Sequence, residues 1–450
     1  MPNTPTKKGR HIMKHPRKIR FLALLLALLL LLGSLAGCGK AETLMSHEKQ
    51  TLSLNIYQLM LSIRKGEMAY AIAQGYGNAN SSQFWDTVID NTSSTYDDYY
   101  TAQVFNKAKS YLAAMVLFDE LELTLPSSYI EVVDEEMASL LEEDGDGSKA
   151  KLNAILSEFG ANYDILREYK LMLKKTEYLL LTLYGQNGSK ISTAVKEAYL
   201  EENYVAFKQI LLSNFYYLYK TDKNGDDIYY HADGSIAYDT VNGIRTPENG
   251  SFVYYNEDGS IAYDKEVGER APVLDENGKQ TAVFYTAEEM LDRMSLAIDL
   301  KDIAAAESAE TFETLRTAYS DEEIGDNYDS TALNYLGTQI DYSSISTTWS
   351  TLDAIAAKLA TMEAGELAIL STEAGIHILR KYPTESMAYA DTRYSQWFTD
   401  SFYGIYDFNA NLINSLFLSR IAEIETAITV NANLLKDLSL KNTPSNFYYS

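Results

Sequence analysis

The sequence predicts an α+β fold that is mostly helical and carries one β-rich segment. Apolar residues recur at helical spacing over long stretches, for example in 105–123 and 164–184. A short, apolar, strand-like run follows at 205–212. Residues 215–285 then place Asp-Gly pairs between aromatic residues, a pattern typical of β-hairpins. A length of 450 residues favours two or three domains.

Residues 1–37 have the three parts of a secretory signal peptide. A basic segment without acidic residues comes first, an unbroken apolar run from Phe21 to Leu32 follows, and small residues lead to Cys38. The apolar run is shorter than the roughly 20 residues that a membrane-spanning helix needs. The basic residues of the first segment are Lys7, Lys8, Arg10, Lys14, Arg17, Lys18 and Arg20.

Cys38 is the only cysteine in the chain, so disulfides cannot stabilise the protein. The tetrad Leu35-Ala36-Gly37-Cys38 resembles the bacterial lipobox, in which the cysteine is acylated and becomes the first residue of the mature protein. The resemblance implies a lipid attached to Cys38 and a protein held on the outer face of the cytoplasmic membrane. The alternative is an uncleaved anchor helix with an incidental cysteine.

The charge balance argues against nucleic acid as a partner. The formal charge is -25, and it becomes -32 when the seven basic residues of the signal region are removed. A surface this negative repels phosphate backbones. It could attract basic polypeptides.

Helical stripes fill both ends of the chain. They predict a helical domain from 38–200, completed by 384–450, around a second domain at 201–383. The last stretch predicts one long helix within 394–440, and its apolar face is expected to pack on the N-terminal helices. The residues of that face are Phe417, Ile421, Ile424, Ile428, Leu435 and Leu438.

The β-rich insert contains an internal repeat. Residues 229–239 return as 254–264, each with an Asp-Gly-Ser-Ile-Ala-Tyr-Asp core. Two further turns are predicted at 222–225 and 275–278. Calcium binding is the alternative role for the aspartates, but the spacing of a dedicated calcium loop is missing, which favours turns.

Three segments resemble parvulin-type peptidyl-prolyl isomerases. Met362-Glu363-Ala364-Gly365-Glu366, followed by the strand Gly375-Ile376-His377-Ile378-Leu379, is similar to the end of that domain. Phe312 to Asp321 resembles its second helix, and Lys208-Gln209-Ile210-Leu211 its first strand. The flanking helices resemble the chaperone part of SurA and PrsA foldases. The insert has no counterpart in this pattern.

The resemblance implies a membrane-anchored foldase for unfolded or nascent exported polypeptides. It assigns the site to His377 and Gln209, with strands 205–212 and 375–381 side by side in one sheet. Gln209 stands where the family has its first histidine, and Ala360 where it has a pocket phenylalanine. The Gly-rich segment expected after Asp321 is also missing. These departures imply weak or lost catalysis of X-Pro rotation, whose barrier is roughly 18–20 kcal/mol.

Other kinds of site find little support. His377 could equally be a buried histidine with a structural role. Beyond the signal region only His47, His231 and His377 remain, too few for a zinc cluster or a histidine-based hydrolase, and no phosphate-binding loop is present. We therefore expect no cofactor and no metal. A different function remains open, in which a surface lipoprotein binds a ligand or partner through the insert.

Overall fold

The structure is a computed structural model with an α+β fold, as the sequence predicts. It describes residues 42–48, 50–74, 81–89, 93–248, 251–306, 308–322, 329, 331–343, 349–399, 407–446 and 449. The predicted signal peptide and Cys38 lie outside the described residues. The chain forms two compact units: unit 1 is Met1–Lys190 with Ile413–Ser450, and unit 2 is Ile191–Leu412.

Unit 1 combines long helices with a small antiparallel sheet. The sheet has the strand order β13-β1-β2. Its strands are β1 (Thr43–His47), β2 (Gln50–Ser53) and β13 (Thr429–Val430). The helices are α1 (Leu54–Gln74), α2 (Ser82–Trp85), α3 (Tyr96–Glu120), α4 (Ser127–Glu143), α5 (Lys149–Leu156) and α6 (Tyr163–Tyr184).

Helices α3 and α6 confirm the predicted apolar stripes of unit 1. Helix α3 begins at a capping box, in which Thr95 accepts from the Asp98 N–H and the Asp98 carboxylate accepts from the Thr95 N–H. In α6, Leu166 and Leu179 are fully buried. Such buried faces supply most of the stability of helices in proteins.

The predicted long C-terminal helix is wrong beyond residue 426. Helix α12 spans Phe408–Thr426, and Thr429–Val430 then pairs as β13 with Met45 and Ser46 of β1. The β-branched run at 428–430 disfavours helix and suits a strand. Ile428, Leu435 and Leu438 therefore do not continue the helical face of Phe417 and Ile421.

Unit 2 is built on a four-stranded antiparallel sheet with the strand order β10-β3-β12-β11. The central pair, β3 and β12, is in register over eight residues, from Gly375 opposite Ser213 to Tyr382 opposite Ala206. The strands are β3 (Tyr204–Ser213), β10 (Asn334–Gly337), β11 (Leu367–Thr372) and β12 (Gly375–Tyr382). The helices are α7 (Thr193–Asn203), α8 (Ala287–Ala306), α9 (Ala309–Tyr319), α10 (Ser350–Ala360), α11 (Ser395–Phe398) and the first turn of α12.

Helices cover both faces of this sheet. On one face, Phe207 and Leu379 pack with Ile355 and Leu359 of α10. On the other face, Ile210 and Ile378 pack with residues of α8 and with Phe312 of α9. Because side chains alternate along a strand, neighbouring residues of β3 belong to opposite faces. Gln209 and His377 belong to the α10 side of the sheet.

The insert is a set of short hairpins between β3 and α8. Its strands are β4 (Phe215–Tyr217), β5 (Tyr229–Tyr230), β6 (Ile244–Glu248), β7 (Ser251–Tyr255), β8 (Glu269–Arg270) and β9 (Ala282–Phe284). All four predicted turns are confirmed and share one geometry. In each, the glycine N–H donates to the carbonyl three residues earlier, and that glycine has a positive φ, between +77° and +92°. These glycines are Gly225, Gly234, Gly259 and Gly278.

Candidate functional site

The sheet of unit 2 brings the two predicted site residues into contact. His377 lies on β12 and Gln209 on β3, and the strand pairing places Leu211 directly opposite His377. Gln209 is two residues further along β3 and on the same face. Its Oε1 lies 2.9 Å from His377 Nδ1.

The second imidazole nitrogen is also occupied. His377 Nε2 lies 2.8 Å from the Thr372 hydroxyl, at the end of β11. The Thr372 hydroxyl also accepts from the Ala374 N–H at 3.1 Å. It therefore has its own proton to donate to Nε2. Thr372 is a site residue that the sequence analysis missed, although it flanks the same β-turn as His377.

Gln209 is held from its other side by a carboxylate. Its Nε2 donates to Glu322 Oε1 at 2.5 Å. Glu322 Oε2 in turn accepts from Arg316 Nη2 at 3.2 Å. Arg316 Nε also donates to the Gln209 backbone carbonyl at 3.1 Å. This ion pair was not predicted from the sequence, and its members lie more than a hundred residues from Gln209.

These contacts determine the imidazole tautomer. The Gln209 amide must turn its NH₂ group toward Glu322, so its oxygen faces His377 and accepts from Nδ1–H. Nε2 is then the acceptor of the Thr372 hydroxyl. The result is a directed chain of hydrogen bonds from Thr372 through His377 and Gln209 to Glu322.

Burial keeps this imidazole neutral. His377 is 1% exposed. Desolvation lowers the pKa of His377 from 6.5 to about 4. At neutral pH the ring carries no charge, and both nitrogens are used inside the protein. The ring is therefore suited to a structural role, with little capacity to bind a substrate directly.

The segment after α9 positions the Glu322 carboxylate, which ends the chain of hydrogen bonds from Thr372. The Ser320 hydroxyl accepts from the Leu211 N–H at 3.0 Å, and Asp321 Oδ2 accepts from the Ser213 N–H at 2.9 Å. The Asp321 N–H donates to the Leu211 carbonyl at 2.8 Å. The segment thus runs beside β3, which positions Glu322 next to Gln209.

Ala360 lies at the surface and takes no part in the hydrogen bonds around His377. It is exposed in the last turn of α10, whereas Leu359 and Met362 are buried in the adjoining core. The helix turns residue 360 away from the sheet that residues 359 and 362 cover. The correspondence of Ala360 with a pocket phenylalanine stays a prediction.

The 25-residue repeat of the insert folds with internal twofold pseudosymmetry. The Asp239 N–H donates to the Ala262 carbonyl at 2.8 Å, and the equivalent Asp264 N–H donates to the Ala237 carbonyl at 2.9 Å. Tyr238 and Tyr263 form a bridge between the two copies and stack at 6.3 Å. Each copy of the repeat therefore donates one backbone hydrogen bond to the other copy.

The insert aspartates serve their own turns. Asp233 Oδ1 accepts from the Ser235 N–H and hydroxyl, and Asp258 Oδ1 accepts equally from Ser260. These hydrogen bonds lower the pKa of both carboxyl groups. Across the described residues, no group of His, Cys, Asp or Glu has an arrangement that could hold a metal ion.

Comparisons with known proteins give distant similarity to solved structures alone. No protein-family model matches the sequence, and no curated protein matches it. Among solved structures, the chain is similar to the crystal structure of PrsA from Bacillus subtilis. The identity is 14% and the TM-score 0.18, over 78% of this chain and 93% of that chain. At these values the similarity carries no argument about function.

Proposed function

We propose that the protein is a membrane-anchored foldase that holds exported polypeptides while they fold. Unit 2 would be its parvulin-like domain, unit 1 its helical chaperone-like domain, and a lipid on Cys38 its anchor on the outer face of the cytoplasmic membrane. In the described residues, no helix has the length and apolar character needed to cross a bilayer.

The pairing of β3 with β12 is the observation that carries this proposal. The parvulin resemblance required strands 205–212 and 375–381 to be neighbours, and they pair directly over eight residues. The pairing brings Gln209 and His377, which are 168 positions apart in sequence, within hydrogen-bond distance. Chance similarity of two short segments would not require this contact.

We further propose that binding dominates over catalysis. Rotation about an X-Pro bond needs a desolvated, hydrogen-bonded site for the amide, without any covalent step. Here both nitrogens of His377 are engaged within the protein, and Gln209 donates to Glu322. Isomerase activity is therefore expected to be weak or absent.

Two assays test this function. Suppression of aggregation is measured by light scattering when a chemically unfolded model protein is diluted into buffer with or without this protein. We expect suppression at stoichiometric amounts. An unchanged scattering curve would refute the foldase proposal.

The second assay follows refolding of a ribonuclease whose slow step is X-Pro isomerisation. We expect little acceleration, and any acceleration should disappear in His377→Ala. His231→Ala is the matched control, because His231 is exposed in an insert turn. Strong acceleration by the unaltered protein would refute the proposal that binding dominates.

A second candidate function is binding of a partner through the insert. The insert exposes several large apolar side chains, including Val241 at 88% and Phe284 at 69%. Exposed apolar patches on a folded protein are often interaction sites. Leu218 N–H donates to the Thr281 carbonyl at 2.9 Å, so residues 219–280 can be replaced by a short turn. A foldase should still suppress aggregation after this deletion, whereas a receptor should lose its partner.

A further inference from the structure

Unit 1 contains a groove between β2, α3 and α6 that no assigned role uses. Its volume is about 330 Å³. Apolar side chains line its floor, and charged side chains of both signs line its rim. The floor residues are Leu52, Ile56, Leu112, Met115, Leu171 and Met172, and the rim residues include Asp164, Arg167, Glu168 and Lys175.

One wall of the groove is the free edge of a β-strand. In the described part of the chain, β2 pairs only with β1. Gln50, Thr51 and Leu52 of β2 all line the groove, while β1 contributes no residue to it. The groove therefore lies on the side of β2 that faces away from β1.

The register shows which backbone groups point into the groove. His47 pairs with Gln50, and only two residues separate them in sequence, so these two residues exchange backbone hydrogen bonds. Backbone groups alternate in direction along an antiparallel strand. The N–H and C=O of Thr51 consequently point away from β1, toward the groove, where they meet no strand among the described residues.

We propose that this groove binds an extended, apolar segment of an unfolded polypeptide as an additional strand on β2. The free N–H and C=O of Thr51 would pair with the backbone of the segment, and an apolar side chain would enter the pocket. Rim charges of both signs give no preference for a charged segment. The choice of an unfolded polypeptide as the partner rests on the proposed function. The groove itself lies in unit 1, whereas His377 lies in unit 2.

The unpaired edge distinguishes a polypeptide from other apolar ligands. A lipid chain or detergent would fill the pocket but make no use of the Thr51 backbone. An extended polypeptide uses both the pocket and the edge, because strand edges recruit backbone groups. Removing the backbone hydrogen bonds should therefore weaken binding while the apolar contact stays the same.

The test uses the full chain and a fluorescent peptide in which leucine alternates with threonine. Fluorescence anisotropy compares this peptide with the same peptide N-methylated at every backbone amide. We expect binding of the first and about fivefold weaker binding of the second, because N-methylation removes the peptide N–H that donates to the Thr51 carbonyl. Equal binding of the two peptides, or binding of neither, would overturn the proposal.

A pair of variants locates the binding on β2. Thr51→Pro removes the N–H that points into the groove and is tolerated on an edge strand. Thr51→Val keeps the backbone and nearly the same shape. We expect at least a fivefold loss of peptide affinity for T51P and little change for T51V; equal affinities would place the peptide elsewhere. Aggregation suppression measured in parallel separates the two ideas, because the foldase proposal fails only if that suppression is absent.

Discussion

Acidification should destabilise unit 2 through His377. The pKa of this buried imidazole is lowered from 6.5 to about 4 in the folded protein. The unfolded chain thus binds the proton more readily than the folded chain between these two values. By linkage, the stabilising contribution is complete above pH 6.5 and is lost progressively as the pH falls toward 4.

The size of the effect follows from the shift. A change of one pKa unit corresponds to about 1.4 kcal/mol, so lowering the pKa from 6.5 to about 4 gives about 3 kcal/mol of unfolding free energy. The physical source is the cost of charging a ring that is 1% exposed. Protonation of Nε2 would also place a second donor against the Thr372 hydroxyl, which already accepts from Ala374 N–H. The hydroxyl would have to give up its own donation.

Tryptophan fluorescence can follow unit 2 alone. Trp349 and Trp397 pack against the core on the α10 side of its sheet, and Trp85 belongs to unit 1. In a Trp85→Phe background, urea unfolding at a series of pH values between 7 and 4.5 therefore reports on unit 2. We expect the unfolding free energy to fall by roughly 2–3 kcal/mol over this range.

His377→Asn provides the control for this experiment. Its amide can still donate to Gln209 but cannot titrate. The variant should be less stable than the unaltered protein at pH 7 and show a much flatter dependence on pH. If the unaltered protein loses no stability between pH 7 and 4.5, or if the variant loses as much, the burial of a neutral His377 is the wrong explanation.

Four further substitutions test the fold. Gly375→Ala should cost several kcal/mol in unit 2, because φ is +144° and the added Cβ would lie 2.3 Å from the Leu212 carbonyl oxygen. Gly234→Ala, at φ +82° in open space, should cost only about 1 kcal/mol, as judged by thermal unfolding. Thr95→Ala removes the cap of α3 and should lower the stability of unit 1 by about 1 kcal/mol in circular dichroism melts. Gln209→Leu leaves the His377 Nδ1–H without its acceptor and should cost about 1–3 kcal/mol in the fluorescence assay.

Local chemistry made the insert predictable. Each of its four turns depends on a glycine that accepts a positive φ, and the residues around Gly234 are repeated around Gly259. The twofold relation between the repeats was not predictable in the same way. It rests on backbone contacts such as Asp239 N–H to Ala262 carbonyl, which any residue types could make.

Non-local pairing explains where the sequence analysis failed. The short sheet of unit 1 joins Thr43–His47 to Thr429–Val430, almost four hundred residues later. A two-residue strand carries too little pattern to be recognised, so the helical stripe of α12 was extended across it. The β-branched residues at 428–430 were the available signal.

The candidate site was likewise predictable only in part. Gln209 and His377 were identified through a family resemblance, whereas Glu322 and Thr372 were missed. Thr372 could have been found, because the turn at Glu373 and Ala374 places it beside the start of β12. Glu322 could not, because its position depends on how the segment after α9 runs along β3.

Glu322 also explains why a glutamine can occupy position 209. A carboxylate paired with Arg316 accepts hydrogen bonds only, so it forces one orientation on the neighbouring amide. That orientation determines the proton position on His377 and, beyond it, the direction of the Thr372 hydroxyl. A histidine at position 209 could adopt two tautomers and a charged state, and the chain would lose its single direction. The arrangement therefore favours a rigid hydrogen-bond network around a neutral imidazole, which is of little use for moving a proton.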